Sequence, residues 1–124
     1  MTSKIRVLLA DDHKLLRQGI SLLISEEADM EVIGEATDGN SAIELACKLE
    51  PDVVLMDINM GGLNGIEATK RIRAQSPSVQ VIGLSMFEAE ERAHDLRAAG
   101  GADFVSKSGP SDVLLDTIRR TARG

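Results

Sequence analysis

The feature that most constrains this chain is a regular alternation. Short β-branched runs are each followed by a longer stretch whose apolar residues recur at helical spacing. This happens five times in 124 residues. Ile5 to Ala10 reads as a strand, and Leu16, Ile20, Leu23 and Ile24 then line one helical face. Glu31 to Ala36 predicts a second strand and Asp38-Gly39 a turn. Ala42, Leu45, Ala46 and Leu49 predict the next helix, which Pro51 stops. Asp52 to Asp57 is the third strand. Its unbroken apolar centre is the pattern of a strand covered on both faces. A Gly-rich loop leads into a helix with Ile66, Thr69 and Ile72. Val79 to Ser85 predicts the fourth strand, and Ala89, Ala93 and Leu96 a helix with one large apolar side chain. Ala102 to Ser106 is a short fifth strand, and Leu114, Leu115, Ile118 and Ala122 mark the last helix.

Alternating β and α elements predict an α/β fold, a (βα)5 doubly wound parallel sheet with helices on both faces. With five strands the flavodoxin-like order 2-1-3-4-5 is the leading topology. The length fits one domain that can bury a core without disulfide or zinc staples. The single Cys47 agrees, since it excludes an intrachain disulfide and a Cys-rich zinc site. A net charge of -6 argues against gripping a nucleic-acid backbone. Two Phe, with no Trp or Tyr, leave no base-stacking platform. No apolar run has the length of a membrane span, and no signal peptide is evident, so a soluble cytoplasmic domain is expected.

The polar residues fall at strand ends. Asp11 and Asp12 end strand 1, Asp57 ends strand 3, Ser85 ends strand 4, and Lys107 follows strand 5. In a parallel sheet all carboxyl ends share one rim, and ligands bind there at the switch point between strands 1 and 3. Three carboxylates meeting at that rim repel one another unless a cation neutralises them. An oxygen-only ligand set with no nearby Cys suits a hard ion such as Mg²⁺. A carboxylate beside Mg²⁺ and Lys is also a nucleophile toward phosphorus, giving an aspartyl phosphate.

Each residue also has an ordinary structural use. Asp12 could N-cap the first helix, Asp57 could cap a loop, and Ser85 could N-cap the fourth helix. Lys107 alone would be a solvated loop lysine. Their convergence on one rim carries the functional reading. His13 and His94 have no ligand spacing and read as non-ligands. Cys47 and the methionines Met56, Met60 and Met86 read as packing. Gly61-Gly62 and Gly65 do not make a P-loop, because no Gly-Lys-Ser/Thr follows.

Taken together these segments resemble the receiver domain of two-component response regulators (CheY-like). Val7 to His13 resembles the opening of the NarL/LuxR-type subgroup. Ala36-Thr37-Asp38-Gly39, Pro51 to Asp57, Asn64 to Ala68 and the Ser85 to Lys107 spacing also agree. The resemblance spans essentially the whole chain. It implies that Asp57 accepts a phosphoryl group from a phosphohistidine of a sensor histidine kinase. It implies Mg²⁺ held by Asp12 and Asp57, by Asp11 mainly through water, and by the backbone carbonyl of Asn59. Lys107 and Ser85 would bind the phosphoryl group. Phe104 would be the switch aromatic, and Asn59 and Phe87 would tune how fast the group is lost. Ser85 moving inward would open space for the Phe104 ring, and the sparsely apolar fourth helix would be the mobile output face.

The same resemblance implies that residues 1–124 form a single receiver domain of a longer protein. That protein would continue into a C-terminal helix-turn-helix DNA-binding domain, control transcription, and form a homodimer on phosphorylation. DNA would be reached only through that output domain. The chain departs from the family pattern at Gly61, where Pro is common, and at Ser108, which also replaces a common Pro. Asp103-Phe104-Val105-Ser106 replaces the subgroup's usual Gly-Tyr-Leu-Leu. The domain would be a signalling phosphoacceptor with slow self-hydrolysis rather than an enzyme acting on a free substrate. Three alternatives compete with this expectation. A haloacid-dehalogenase-like Mg²⁺-dependent phosphatase needs a second Asp where Asn59 stands. A flavodoxin needs a phosphate loop and aromatics that the sequence lacks. A receiver-shaped interaction domain would never be phosphorylated, which leaves the acid, Ser and Lys set without a use.

Overall fold

A computed structural model of the chain describes residues 4–60, 64–85 and 90–123. Five strands alternate with five helices: β1 (Ile5–Ala10), α1 (Lys14–Ser25), β2 (Met30–Ala36), α2 (Gly39–Leu49), β3 (Val53–Asp57), α3 (Gly65–Gln75), β4 (Gln80–Ser85), α4 (Glu90–Ala98), β5 (Asp103–Ser106) and α5 (Ser111–Arg123). All four strand pairings are parallel, in the order β2-β1-β3-β4-β5. The predicted α/β class and strand order are both found.

The two faces of the sheet follow from the two-residue period of a strand. Val7 and Leu9 of β1, Val53 and Leu55 of β3, Ile82 and Leu84 of β4 and Val105 of β5 point to one side. Ile20 and Ile24 of α1 and Leu114, Leu115 and Ile118 of α5 cover them. Leu8, Ala10, Val54, Met56 and Val81 point to the other side, under Ala42 and Ala46 of α2 and Ala68 and Ile72 of α3. Every residue of β3 is buried, which explains its unbroken apolar run. Small residues on α2 and α3 let those helices sit close to the sheet.

Three local expectations change. Asp38-Gly39 is not a free turn: Asp38 is the N-cap of α2, its carboxylate accepting from the Ser41 amide at 2.7 Å. Ile66 is only half-buried and faces the cleft between α3 and α4 rather than the core. The N-cap of α1 is His13 rather than Asp12. Ala89, Met86, Phe87, Gly61 and Gly62 lie outside the described residues, while Met56 and Met60 are buried as packing residues.

Two glycines set how closely helices approach functional backbone. A Cβ at Gly65 would lie 2.3 Å from the Asp57 carbonyl oxygen, so the start of α3 fits under Asp57 only because this residue is Gly. The Asn64 side chain caps that helix by accepting from the Glu67 amide at 2.9 Å. A Cβ at Gly83 would lie 2.2 Å from Leu96 Cδ2, so Gly83 is the seat of the buried leucine of α4.

Candidate functional site

The carboxyl ends of β1, β3, β4 and β5 bring the predicted polar residues to one rim. The Asp11 amide still donates to the Ala36 carbonyl at 3.0 Å, which holds this residue in line with β1 and buries its side chain completely. Its carbonyl accepts from Arg17 Nη1 at 2.8 Å. Asp57 ends the central strand and is also fully buried. Its Oδ1 accepts from the Asn59 amide at 2.9 Å, and the Ile58 amide donates to the Leu84 carbonyl at 3.1 Å. These bonds fix the Asp57 carboxylate at the point where β3 leaves the sheet.

Lys107 reaches that point from the edge strand. Its amide donates to the Ser85 carbonyl at 2.7 Å, which ties the β5 exit to the end of β4. The side chain is 1% exposed, and Nζ lies 2.8 Å from Asp11 Oδ2 and 3.0 Å from Asp57 Oδ2. One ammonium therefore bridges two buried carboxylates. Each Oδ2 is paired with Lys107, and a carboxylate oxygen has a second lone pair that remains open toward the pocket.

The two carboxyls respond oppositely. Burial pushes Asp57 above the usual carboxylate range; the Asn59 amide and Lys107 offset only part of this, and the charge on Asp11 adds to the rise. Burial acts the same way on Asp11, but Lys107 and the His13 amide and ring outweigh it and hold Asp11 below its ordinary value. Coupled acids in one pocket commonly separate in this way. Asp57 is the member that carries its charge less comfortably, and a second cation would stabilise its ionised form.

The donor set fits such a cation. Asp11, Asp12, His13 and Asp57 each offer a ligand atom, all within 4.8 Å of one another. Three carboxylates face one bridging ammonium, leaving excess negative charge in the pocket. Asp12, at 38%, is the exposed carboxylate and stands at the mouth with the exposed His13.

Asp11, Asp12, Asp57 and Lys107 thus meet as the sequence predicts. Ser85 is nearly buried beside them and registers with Ser106. Phe104 is half-buried on β5, in register with Gly83 and two strands away from Asp57. Asn59 is exposed and touches Asp57 through its backbone amide. Phe87 lies outside the described residues.

Two residues at the site escaped the sequence reading. His13 reads there as unpaired, yet its Nδ1 lies 3.2 Å from both Asp11 Oδ1 and Asp12 Oδ1. Its one signal is adjacency to the acid pair. Arg92 of α4 donates from Nη2 to the Ile58 carbonyl at 3.0 Å, and nothing in its surroundings in the sequence marks it.

Comparison with known proteins gives a consistent result. The model of the response regulator receiver domain matches residues 7–119. The transcriptional regulatory protein LiaR of Bacillus subtilis is 39% identical over 120 residues, covering 97% of this chain and 57% of that protein. The response regulator protein VraR of Staphylococcus aureus is 37% identical over 120 residues, with the same shares. Thus the chain spans about half the length of the curated relatives it matches. Among solved structures, a LuxR-family two-component response regulator from Aurantimonas superposes with a TM-score of 0.94 at 32% identity, covering 98% of this chain and 87% of that one. The signal receiver domain of a NarL-type regulator from Mycobacterium tuberculosis gives 0.94 at 30% identity, covering 98% of both chains.

Proposed function

Because this chain belongs to the response regulator receiver domain family, we propose that Asp57 is its phosphoacceptor and that the rim around it binds and reads the phosphoryl group. The observation that carries this reading is Lys107 Nζ bridging Asp11 and Asp57 inside a buried acid pocket. An Asp57 carboxylate oxygen attacks phosphorus, the P–N bond to the phosphohistidine of a sensor kinase breaks, and its electron pair stays on the kinase imidazole. Burial leaves the Asp57 carboxylate poorly solvated, which favours it as a nucleophile once ionised. Phosphorylation replaces its single charge with about -1.5 to -2, which Lys107 and a bound cation would offset.

Asp11, Asp12, Asp57 and the Asn59 carbonyl would hold Mg²⁺, the ion such an oxygen-rich set suits. That ion, when bound, supplies positive charge against the transferring phosphoryl oxygens. Lys107 is already within ion-pair distance of Asp57 and turns to the phosphoryl oxygens as they arrive. Ser85, at the end of the neighbouring strand, donates its hydroxyl to another of those oxygens. Its movement lets the Phe104 ring turn inward, which shifts a pre-existing equilibrium at the β4–α4–β5 face. Asn59 and Phe87 set the slow hydrolysis that resets the domain. In the whole protein the receiver controls a DNA-binding output domain, and hence transcription, in the cytoplasm. The relatives named as transcriptional regulators support this. Among the described residues no helix is long and apolar enough to cross a membrane.

Acetyl phosphate with Mg²⁺ should add one phosphoryl group per chain, read by intact mass, and Asp57→Asn should abolish it. Stoichiometric labelling that persists in Asp57→Asn would overturn the assignment.

A further inference from the structure

The three acids of the rim are not held alike. Asp11 and Asp57 are fully buried, whereas the Asp12 side chain is 38% exposed. Packing fixes Asp12 least, so its aim depends on its backbone. Two planar peptide groups flank the Asp12 Cα, and each is tied down. The group after it is held through the His13 amide, which donates to Asp11 Oδ1 at 2.9 Å. The group before it is held through the Asp11 carbonyl, which accepts from Arg17 Nη1 at 2.8 Å. No neighbouring strand supplies that second tie. The pairing of β1 with β2 and β3 ends at Ala10, and the Asp11 amide takes the last carbonyl of β2, that of Ala36. The Arg17 guanidinium stands where a ladder partner would.

Arg17 is itself held from two sides. Its amide donates to the His13 carbonyl at 2.9 Å as the first turn of α1 closes, and its Nε donates to Glu35 Oε1 of β2 at 3.0 Å. The side chain is only 15% exposed. A guanidinium presents its donors in a rigid fork, so one group serves a carbonyl and a carboxylate together; an ammonium acts as a point charge. Glu35 also stands against the positive charge of Arg17, which alone would repel a cation in the pocket. We propose that Arg17 is a positioning residue of the cation site. Held by Glu35, it fixes the peptide group that aims Asp12 at the ion. This rests on the cation-site reading above and touches no bound group directly: Arg17 acts through Asp12.

The test is a Mg²⁺ titration of the whole chain, followed by amide chemical shifts, in wild type, Arg17→Lys, Arg17→Gln and Arg119→Met. Circular dichroism checks that each folds, and if Arg17→Gln does not, Arg17→Lys decides. Lys keeps the charge and loses the fork, whereas Gln loses both. Positioning predicts that each binds Mg²⁺ about tenfold more weakly, the lower end of the loss seen for outer-shell partners of metal ligands. Charge alone predicts the reverse order, with Lys unchanged and Gln tighter. Arg119→Met cuts a polar tie at the opposite, amino end of the sheet and should bind as wild type does. In an Asp12→Asn background, Arg17→Lys should cost no further affinity. Unchanged affinity in Arg17→Lys, tighter binding in Arg17→Gln, an equal loss in Arg119→Met, or a full further loss in the Asp12→Asn background overturns the role of Arg17 and leaves the cation site intact. Failure of wild type to bind Mg²⁺ at millimolar concentration overturns the cation-site reading itself.

Discussion

The helices α4 and α5 both flank the short edge strand β5, yet they are held in different ways. Helix α5 buries Leu114, Leu115, Thr117 and Ile118, and its leucines and Ile118 share a core with Ile82, Leu84 and Val105. Among its described side chains, α4 buries only Ala93 and Leu96. Leu96 fits over Gly83, and the Gly101 amide closes the helix end by donating to the Leu96 carbonyl at 2.9 Å. A further tie is polar: Arg92 Nη2 donates to the Ile58 carbonyl, while Arg92 Nε is buried with no hydrogen-bond partner among the described residues. The contrast shows where a switch can act without unfolding the domain. Burial locks α5 to the sheet, whereas among the described residues α4 is held by Ala93, Leu96 and a hydrogen bond that ends on the residue after Asp57. Segments with few buried apolar contacts open locally at low free-energy cost.

The largest expected effect tests that contrast directly. Ile118→Ala removes a fully buried side chain from the shared core and should cost about 2–5 kcal/mol of global stability. Leu96 is just as buried, but its truncation should behave differently. The global cost of weakening α4 is capped by the free energy of opening α4 alone. Urea midpoints should therefore fall more for Ile118→Ala. Amide exchange should accelerate throughout the sheet in Ile118→Ala and mainly in α4 in Leu96→Ala. Equal midpoints with identical exchange patterns would break the comparison.

That contrast was partly legible in the sequence. The unbroken Val53-Val54-Leu55-Met56 run identifies the central strand because a strand covered on both faces needs apolar residues at every position. Leu96 stands out as the single large apolar residue of its helix, so the thin anchoring of α4 is visible in composition alone. The meeting of Asp11, Asp57 and Lys107 follows from topology, since a parallel sheet gathers its carboxyl ends. What escaped depends on reach and direction. Arg92 and Ile58 lie 34 residues apart, and no local period reports where a guanidinium ends. Ile66 fits a helical face by spacing, but only the packing of α3 against α4 decides that it points into the cleft. The Asp38-Gly39 pair has the composition of a turn and of a helix start alike, and only the Ser41 amide distinguishes them.

A smaller effect sharpens the comparison at the polar tie of α4. Arg92→Met keeps much of the stem's volume and removes the hydrogen bond to Ile58. The expected loss is about 0.5–1.5 kcal/mol, felt within α4, and removal of the unpartnered Nε offsets part of it. Exchange in α4 should rise, with the urea midpoint of the whole domain barely changed. The link to the residue after Asp57 adds a second readout. Phosphorylation of wild type should alter exchange at α4, and Arg92→Met should blunt that difference. An undiminished response would show that the Ile58 carbonyl does not carry the signal to α4.

The smallest expected effect lies at the matching polar tie of α5. Arg119 Nε donates to Asp29 Oδ2 at 2.8 Å and Nη2 to Glu27 Oε1 at 2.6 Å, joining α5 to the turn before β2. Hydrogen bonds from Arg119 are the first cause holding Asp29 below its ordinary carboxylate range. The contribution is therefore fully present above the unfolded value and is lost as pH falls through the lowered one. The groups are partly exposed and screened by salt, and α5 is already fixed by its apolar face. Arg119→Met should therefore lower the melting temperature slightly at neutral pH, and the gap to wild type should shrink as the solution is acidified. Exchange in α5 should stay slow in both proteins. Because Arg119 adds to a helix that burial already holds, its loss should leave the domain's motion where it was, whereas Arg92 is a large share of what holds α4. If Arg119→Met loosened α5 as much as Arg92→Met loosens α4, burial would not be what separates the two helices.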